Sequence, residues 1–449
     1  MTQAVSATLA EFVATCRWEA LPDSARAAAQ RTLLNAVALG IGASRHPAVV
    51  TALGVLRDLG TPPESAVLGR SDRLGVTTAP LVNGTAMHVQ DYDDTHLRTV
   101  VHPGPPIVPA VLAAAAHAEA TGADAMAALV AGVEVALRVG NGVCPEHFDL
   151  GWHLTGTAGH IGAAAAASRA FGLDPDSTRV ALALGATQAA GLTAANGSMT
   201  KGFHPGKAAA DGVEAALLAQ QGYTGPAEPI EGRRGFANVA SPRADFTEMV
   251  TGLGQVWEIV GNAIKPYACG IVSHAAIDAA VALRGELGGE DVEKAEIRIP
   301  KVVLEVMGIE DPADGLQSKF SVAHCVTIGL LDGDGAPPQF SDERAQAPDV
   351  VNLRRRVIAV VDDSVAKGAA HLRLETARGR VLEREVRHAT ASAERPMTEE
   401  RLERKVRGLV EPVLGEEGFQ GVLARCARLP EAAGLADLLA AATGEGRSG

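Results

Sequence analysis

The residues most able to do chemistry lie in four short segments that combine carboxylates, imidazoles, hydroxyls and ammonium groups. The first segment, residues 91–96, is followed by a Pro-Gly break that returns the chain, so that His102 can lie nearby. On a helix, Asp91, Asp94 and Thr95 share one face at positions i, i+3 and i+4. The segment therefore predicts a pocket with an acid and an imidazole. A solvated helix end with a capping aspartate is the alternative.

The second segment, residues 151–157, stands directly before an alanine-rich stretch that predicts a helix. A helix N-terminus offers free N–H groups and the positive end of the helix dipole. His153, with Thr155 or Thr157, is therefore a candidate for holding a substrate carboxylate. A capping threonine beside a packed Trp-His pair is the alternative.

The third segment, residues 196–207, is interpreted as a polar loop that enters an apolar helix at Ala208. It carries Lys201, His204 and Lys207, a local cluster of cationic residues in an acidic protein. Such a cluster suits an anionic substrate, since the local field matters more than the net charge. An exposed basic turn is the alternative.

The fourth segment, residues 265–274, contains Lys265, Ser273 and His274 and lies where the helical pattern gives way to a mixed one. Clefts form preferentially at domain junctions, so these residues are candidates for a site between two domains. An ordinary proline-marked linker with a surface lysine is the alternative.

The composition restricts what these segments can bind. The formal net charge is −13, which disfavours nucleic acid and anionic membranes because both require a basic protein face. Five scattered cysteines without a CxxC pair indicate a reducing compartment and argue against disulfides and structural zinc. The sequence shows neither a signal-peptide pattern nor a bilayer-spanning run. We therefore expect a soluble, cytoplasmic protein that binds a small anionic molecule.

The familiar nucleotide and metal motifs fail on inspection. Gly156, Gly159 and Gly162 are spaced by three, do not form GxGxxG and do not follow a predicted strand. The Gly206-Lys207 pair lacks the first glycine and the hydroxyl residue of a phosphate-binding loop. A divalent-metal site in the first segment is disfavoured, since its acids and histidines have no fixed ligand spacing. We expect neither a cofactor nor a metal.

The hydrophobic pattern predicts a mainly α protein with an inserted α+β domain. Residues 1–265 and 395–449 are assigned to a large all-helical domain, and residues 266–394 to a smaller α+β lid domain. Alternating residues indicate a strand at 292–300 and a β-hairpin at 371–386. The predicted helices are 24–39, 47–59, 80–92, 106–121, 122–139, 155–171, 176–190, 273–283, 323–331 and 401–413, with a final helix before a disordered-looking tail at 444–449.

In this order and at these separations, the four segments resemble the MmgE/PrpD family, which includes 2-methylcitrate dehydratase, cis-aconitate decarboxylase and iminodisuccinate epimerase. The likeness runs over nearly the whole chain and also covers residues 81–88, 318–321 and 330–333. It implies a large helical domain with an inserted lid, a homodimer, and an active site in the cleft between the domains.

The resemblance to the decarboxylase branch extends to six pocket residues, which are Asp91, Thr95, His102, His153, Lys201 and Lys265 in this chain. Two departures matter. The branch has a further histidine where this chain has Gly270, and its lid tyrosine falls near residues 306–307, which are Val-Met here. Decarboxylation is therefore expected less than dehydration or epimerisation.

Residue types and resemblance together indicate a proton transfer beside a carboxylate of a small di- or tricarboxylic acid. We expect Lys201 and Lys265 to hold the developing charge. His102 or His153, oriented by Asp91, is expected to take the proton, because an imidazole titrates near neutrality. The other histidine, or a threonine through water, then protonates the leaving hydroxyl or the opposite face. Substrate contacts are expected from Thr95, Thr155, His204, Lys207, Ser273 and His274.

The first functional hypothesis is thus a cofactor-independent lyase of the 2-methylcitrate dehydratase type. Iminodisuccinate epimerase and cis-aconitate decarboxylase are the alternatives on the same scaffold. A catalytically silent protein that binds a small acid is the alternative from another class.

Overall fold

The computed structural model describes residues 4–443, and most of them form helices. The helices of the first part are α1 (Val5–Thr15), α2 (Asp23–Gly42), α3 (Pro47–Leu59), α4 (Ala79–Val89), α5 (Gly104–His117), α6 (Gly122–Val143), α7 (Glu146–Asp149), α8 (Leu154–Ala170), α9 (Pro175–Gln188), α10 (Met199–Gln220), α11 (Phe236–Ala240) and α12 (Phe246–Val250). Four short strands accompany them, namely β1 (Ser65–Ala66), β2 (Arg73–Leu74), β3 (Asp94–His96) and β4 (Asn262–Ile264).

The second part of the chain alternates helices and strands before it becomes helical again. Its helices are α13 (His274–Leu287), α14 (Lys301–Met307), α15 (Gly315–Ser318), α16 (Val322–Leu331), α17 (Asp342–Ala345), α18 (Pro348–Arg354), α19 (Glu399–Arg428) and α20 (Ala436–Thr443). Its strands are β5 (Val292–Ile299), β6 (Val357–Val361), β7 (Ala370–Thr376) and β8 (Val381–Val386).

Helix α8 forms the centre of the helical part. All of its residues are buried, and α5, α6, α9 and α10 pack around it. The approach is close because small residues line the contacts: a Cβ added at Gly162 lies 2.7 Å from the Cβ of Ala136, and one added at Gly212 lies 2.5 Å from the Cβ of Ala163. This packing explains why alanine and glycine are abundant while aromatic residues make up only 3% of the chain.

Helix α6 is long and apolar enough to cross a membrane, but its apolar stretch is completely buried inside the described fold. Helices α2 and α3 pass the same test only when taken together, and they meet at a bend of 81°. Burial on all sides is the environment of a helix in the core of a large protein.

The sheet of the second part has four strands in the order β6-β5-β7-β8. β5 pairs with β6 in parallel and with β7 antiparallel, and β7 and β8 form a hairpin. The inward residues of β5 and β7 are buried in alternation, among them Ile297, Leu372 and Leu374. Helix α13 covers this apolar face, and α16 packs against α13.

This architecture confirms the predicted fold class, a mainly α protein with a smaller α+β unit. Helix α3 has the predicted bounds, and the strand at 292–300 and the hairpin at 371–386 are confirmed. Helix α19 packs against α2, so the C-terminal segment returns to the helical part. The domain limits at residues 266 and 394 and the homodimer stay predictions, and the tail at 444–449 lies outside the described residues.

The expectation that Asp91, Asp94 and Thr95 share one helical face is wrong. Helix α4 ends at Val89, and Asp91 has a left-handed φ of 51° that no helix interior accommodates. Asp94 and Thr95 belong to β3, which pairs antiparallel with β4. This pairing satisfies the main-chain groups that a continued helix would have bonded internally.

The loop predicted for residues 196–207 is also wrong, because α10 begins at Met199 and contains the three cationic candidates of that segment. Pro205 and Gly206 indicate a break when the sequence is considered alone. The helix continues through them because Gly206 lets α10 approach α4 so closely that an added Cβ would lie 2.3 Å from the carbonyl oxygen of Leu81. Tertiary packing here overrides local propensity.

The close contact between α8 and α10 predicts opposite effects for two glycine-to-alanine changes. Gly212→Ala forces a methyl group into Ala163 and should lower the free energy of unfolding by about 1–3 kcal/mol, as overpacking does. Gly54→Ala in α3 meets no atom within 4 Å and should raise it by roughly 0.5–1 kcal/mol through better helix propensity. Urea unfolding of both variants tests this, and equal effects would contradict the packing described.

Candidate active site

The candidate site lies where the loop between α4 and α5 meets β4, beside α10. β3 and β4 pair in register, and the main-chain N–H of Lys265 donates to the carbonyl oxygen of Asp93 at 2.9 Å. The pairing brings together the first and fourth sequence segments, although 174 residues separate Asp91 from Lys265.

Asp91 is the centre of a buried charge cluster. Its Oδ1 accepts a hydrogen bond from Nζ of Lys265 and lies 3.1 Å from Nζ of Lys201, and Nζ of Lys265 lies 3.5 Å from Oδ1 of Asp93. Burial opposes the charge on Asp91, but the two ammonium groups outweigh it and hold the pKa of Asp91 well below its usual value. Burial also works against the charge on Lys265, yet Asp91 and Asp93 raise the pKa of this lysine.

Asp93 orients two histidines. Its Oδ2 lies 2.6 Å from Nδ1 of His88 and 3.5 Å from Nδ1 of His102. Nδ1 of His102 also lies 2.8 Å from the carbonyl oxygen of Asp94 and 2.9 Å from Oγ1 of Thr95. Because a carbonyl oxygen only accepts, Nδ1 of His102 carries the proton. Its Nε2 is therefore the lone-pair nitrogen, which is the tautomer that a general base needs.

The loop that carries His102 is fixed from both sides. The main-chain N–H of His102 donates to Oγ1 of Thr155 at 3.0 Å. The side chain of Asp94 accepts from the N–H of Gly104 at 3.1 Å and from Nδ2 of Asn262 at 2.6 Å. Burial, followed by the nearby Asp93, raises the pKa of Asp94 to about 7. Thr155 was expected to contact the substrate. In the structure its hydroxyl instead supports the loop, because its one side-chain hydrogen bond among the described residues is the bond from the N–H of His102.

His153 precedes the first residue of α8 and faces α10. Its Nδ1 lies 3.0 Å from Nδ1 of His204, and its Nε2 is buried without a hydrogen-bond partner in the described part of the chain. The ring centroid of His153 lies 5.5 Å from that of His88 and 6.1 Å from that of His102. The imidazoles of His88, His102 and His153 thus lie close together, and the imidazole of His204 contacts His153.

All four imidazoles are held neutral at physiological pH. Burial is the main cause that lowers the pKa of His88, His102 and His153 well below the ordinary value, and Lys201 contributes in each case. Burial, followed by Lys201, lowers the pKa of His204 to about 4. A bound carboxylate opposes this effect, because a negative charge beside an imidazole favours its protonated form.

The second part of the chain contributes Lys319 and Phe320 to the site. Lys319 is buried and donates to the carbonyl oxygen of Ala268 at 2.9 Å, and burial lowers its pKa to about 8. Nζ of Lys201 lies 5.1 Å from the ring centroid of Phe320. A small pocket opens between the two parts of the chain and is lined by His88, Val89, Asp91, Gly197, Ser198, Lys201, Gly202, Leu316, Lys319 and Phe320.

The structure brings together most of the predicted site residues, but it separates three of them. Lys207 forms an ion pair with Asp211 one turn further along α10, and its side chain is 44% exposed. Ser273 and His274 lie in another buried cluster, where Oγ of Ser273 is 3.4 Å from Sγ of Cys269. Within the described residues, neither side chain hydrogen-bonds to the acids, imidazoles or ammonium groups described above.

Sequence reasoning missed three members of the site, namely His88, Asp93 and Lys319. His88 and Lys319 lie in the motifs at 81–88 and 318–321 that carry the family resemblance, so a signal was present. Asp93 stands between two acids that attract attention first, and only the structure separates the roles of the three. Its distinction is that it contacts both His88 and His102.

His88, Asp93 and His102 also place their ligating atoms within 4.8 Å of one another, which is close enough for a metal ion. The surroundings of these ligating atoms do not favour a bound metal ion. Nδ1 of His102 already donates to a carbonyl oxygen, and the Lys265 ammonium group lies 3.5 Å from Asp93. A cation there would meet that ammonium group, so the arrangement favours acid–base chemistry.

The chain thus combines a helical core, a smaller α+β unit and a buried cluster of acids, imidazoles and ammonium groups. Residues 7–249 match the family model of the MmgE/PrpD N-terminal domain, and residues 267–429 match that of the C-terminal domain. The chain therefore belongs to the MmgE/PrpD family.

Curated relatives of the chain are decarboxylases by name. It is 26% identical to the cis-aconitate decarboxylase-like protein oryM of Aspergillus oryzae over 98% of both chains. It is 28% identical to the cis-aconitate decarboxylase of Aspergillus terreus over 89% of both chains. It is 30% identical to the human cis-aconitate decarboxylase over 65% of this chain and 63% of the human protein. The relatives that the chain resembles are thus lyases.

The neutral histidines predict a protein that acid destabilises. The folded state keeps His88, His102, His153 and His204 unprotonated, whereas the unfolded chain protonates each near its ordinary pKa of about 6.5. The free energy of unfolding should therefore fall as the pH drops from about 6.5 toward about 4, with a contribution approaching roughly 1.4 kcal/mol per pH unit for each histidine, and the raised pKa of Asp94 opposes one such contribution.

Denaturant unfolding at several pH values measures this slope. The variant His204→Asn should reduce this slope by the contribution of one histidine. The variant His117→Asn, which removes an exposed imidazole, should leave the slope unchanged. A free energy of unfolding that stays constant over this range would contradict the burial of neutral imidazoles.

Proposed function

We propose that this protein is a cofactor-independent lyase that removes a proton beside a carboxylate of a small di- or tricarboxylic acid, with dehydration of the 2-methylcitrate type as the first candidate. The observation that carries the proposal is the contact of 2.8 Å between Nδ1 of His102 and the carbonyl oxygen of Asp94, which favours one tautomer. The Nδ1 proton of His102 is committed to the carbonyl oxygen of Asp94, which leaves Nε2 as a base beside buried ammonium groups.

The charges of the pocket favour a substrate that carries a carboxylate. Lys201 already has Asp91 as a partner. Lys319 bonds only a carbonyl oxygen and has no carboxylate partner among the described residues. A substrate carboxylate between Lys201 and Lys319 would supply that missing charge. Val89, Leu316 and Phe320 leave an apolar wall for the carbon skeleton.

The dehydration is balanced with the groups at hand. Nε2 of His102 takes the proton, the carbon–hydrogen bond breaks, and the electron pair moves toward the adjacent carboxylate, where Lys201 holds the charge. The carbon–oxygen bond on the neighbouring carbon then breaks, and the hydroxyl leaves as water with the Nε2 proton of His153, whose Nδ1 takes up the proton that it shares with His204. His102 ends with one proton more and the His153–His204 pair with one proton fewer, so both must exchange a proton before the next turnover.

Decarboxylation of cis-aconitate is the second candidate, because the relatives carry that name. It uses the same ammonium clamp, but it breaks a carbon–carbon bond and needs one proton for the resulting carbanion. One observation favours dehydration over it. A Cβ added at Gly270 would lie 2.3 Å from Sδ of Met307, so an apolar thioether occupies the space where the resemblance expects a polar decarboxylase side chain. Epimerisation remains a third outcome on the same scaffold.

A panel of acids in deuterated water distinguishes these candidates. We expect the enzyme to convert 2-methylcitrate with loss of water and, by reversible proton removal, to exchange the hydrogen beside the carboxylate of the remaining substrate for deuterium, as followed by NMR. Carbon dioxide release from cis-aconitate would instead establish the decarboxylase, and inversion of iminodisuccinate the epimerase.

The residues are tested in the same assay. His102→Gln and His153→Gln should each lower kcat by about 10²–10⁴-fold, the usual contribution of general acid–base catalysis. His117→Gln, on the exposed end of α5, is the matched control and should retain full activity. If the protein exchanges hydrogen in none of the acids and converts none of them, and if neither site variant changes this, the proposal of catalysis is contradicted. A catalytically silent protein that binds a small acid is then the account that stands.

A further inference from the structure

We propose that His204 is a proton-relay residue that connects a solvent-filled surface groove to His153, an inference that rests on the proposed function. The relay would exchange protons between solvent and the buried site without opening the pocket that holds the substrate. His204 thus acts through His153 and need not touch the substrate itself.

The contact between the two rings is direct. Nδ1 of His153 lies 3.0 Å from Nδ1 of His204, and the ring centroids are 5.2 Å apart. Two nitrogens at this distance share one proton, so one ring donates while the other accepts. Because Nε2 of His153 has no partner among the described residues, that atom is free to exchange a proton with a bound substrate.

The other side of His204 faces solvent. His204 lines a groove between α9 and the first turns of α10, together with Leu192, Thr200 and Phe203. The groove is open, since Leu192 is 55% exposed and Phe203 is 44% exposed. His153 does not line it. His204 therefore bridges the solvent side and the buried side of the site.

Two glycines leave the space that the His204 side chain occupies. A Cβ added at Gly191 would lie 3.3 Å from Cγ and Nδ1 of His204, and one added at Gly156 would lie 3.1 Å from its Cβ. The carbonyl oxygen of Gly191 also accepts the main-chain N–H of His153 at 3.0 Å. One backbone segment thus orients both members of the pair, as a relay requires.

Burial and the charged groups around His204 keep its imidazole neutral in the resting state. Lys201 lies one turn before it on α10, and His160 of α8 faces it from the other side; both lower its pKa after the larger effect of burial. Lys207 and His160 are themselves held by Asp211. A bound anionic substrate would offset the charge of Lys201, which makes protonation of His204 easier during turnover.

The proton movements balance. In the inward step, Nε2 of His204 takes a proton from solvent, its Nδ1 proton passes to Nδ1 of His153, and the Nε2 proton of His153 passes to the substrate. In the outward step, the proton that Nε2 of His102 took from the substrate passes through the product water to Nε2 of His153, whose ring centroid lies 6.1 Å from that of His102, and the three transfers run in reverse. One inward and one outward step return both rings of the pair to their starting tautomers and His102 to its neutral state.

Replacement of His204 by asparagine tests the relay, because asparagine keeps a hydrogen-bonding side chain but cannot carry a proton through. We expect kcat for the acid identified above to fall by about 10- to 100-fold, while KM changes less than about twofold. Added imidazole, which can enter the open groove, should restore much of the lost kcat. Thr200→Ala, on the same groove, is the matched control and should leave both constants unchanged.

Several outcomes would overturn the inference. An unchanged kcat in His204→Asn, or a loss of kcat that imidazole does not restore and that comes with a large rise in KM, would assign His204 to packing or binding. A proton inventory on the unmodified enzyme covers the case of a misfolded variant: two moving protons give a curved dependence of kcat on the deuterium fraction, and a straight line would overturn the relay. Absence of activity on every acid would overturn the proposed function and the relay with it.

Discussion

The buried ion cluster of Asp91 with Lys201 and Lys265 joins three parts of the chain that are far apart in sequence. Asp91 lies in the loop after α4, Lys201 on α10 and Lys265 directly after β4. Removing one partner from such a cluster leaves an uncompensated buried charge, at a cost of about 3–5 kcal/mol. The left-handed backbone at Asp91 and the close approach of α10 to α4 both serve to bring these charges together.

Burial and then the ammonium groups of this cluster lower the pKa values of the imidazoles. The ammonium groups and burial keep His88, His102 and His153 neutral, while Asp93 and the carbonyl oxygen of Asp94 fix which nitrogen of His102 carries the proton. The site is therefore prepared for a ligand that brings negative charge. A negatively charged ligand would favour the protonated form of the histidines, so the proposed substrate binding and proton transfer would be coupled by electrostatics.

The limits of sequence reasoning are visible in particular residues. Helix α3 and the hairpin of β7 and β8 follow from local patterns and were predictable. β3 was not, because it has three residues and its partner strand lies far along the chain. Lys201, His204 and Lys207 have similar chemistry in one segment. Only the helical phase of α10 separates them, since residues three apart nearly share a face while residues six apart do not.

Proton uptake on ligand binding is the most direct test of this electrostatic coupling. Propane-1,2,3-tricarboxylate has neither a hydroxyl group nor a double bond, so it can occupy the site without turnover. Calorimetric titration at about pH 6, in buffers of different ionisation enthalpy, reports the protons taken up. We predict a net uptake, seen as a binding enthalpy that changes linearly with the buffer's ionisation enthalpy. Binding with the same enthalpy in every buffer would contradict the claim that neutral histidines take up protons when an anion binds.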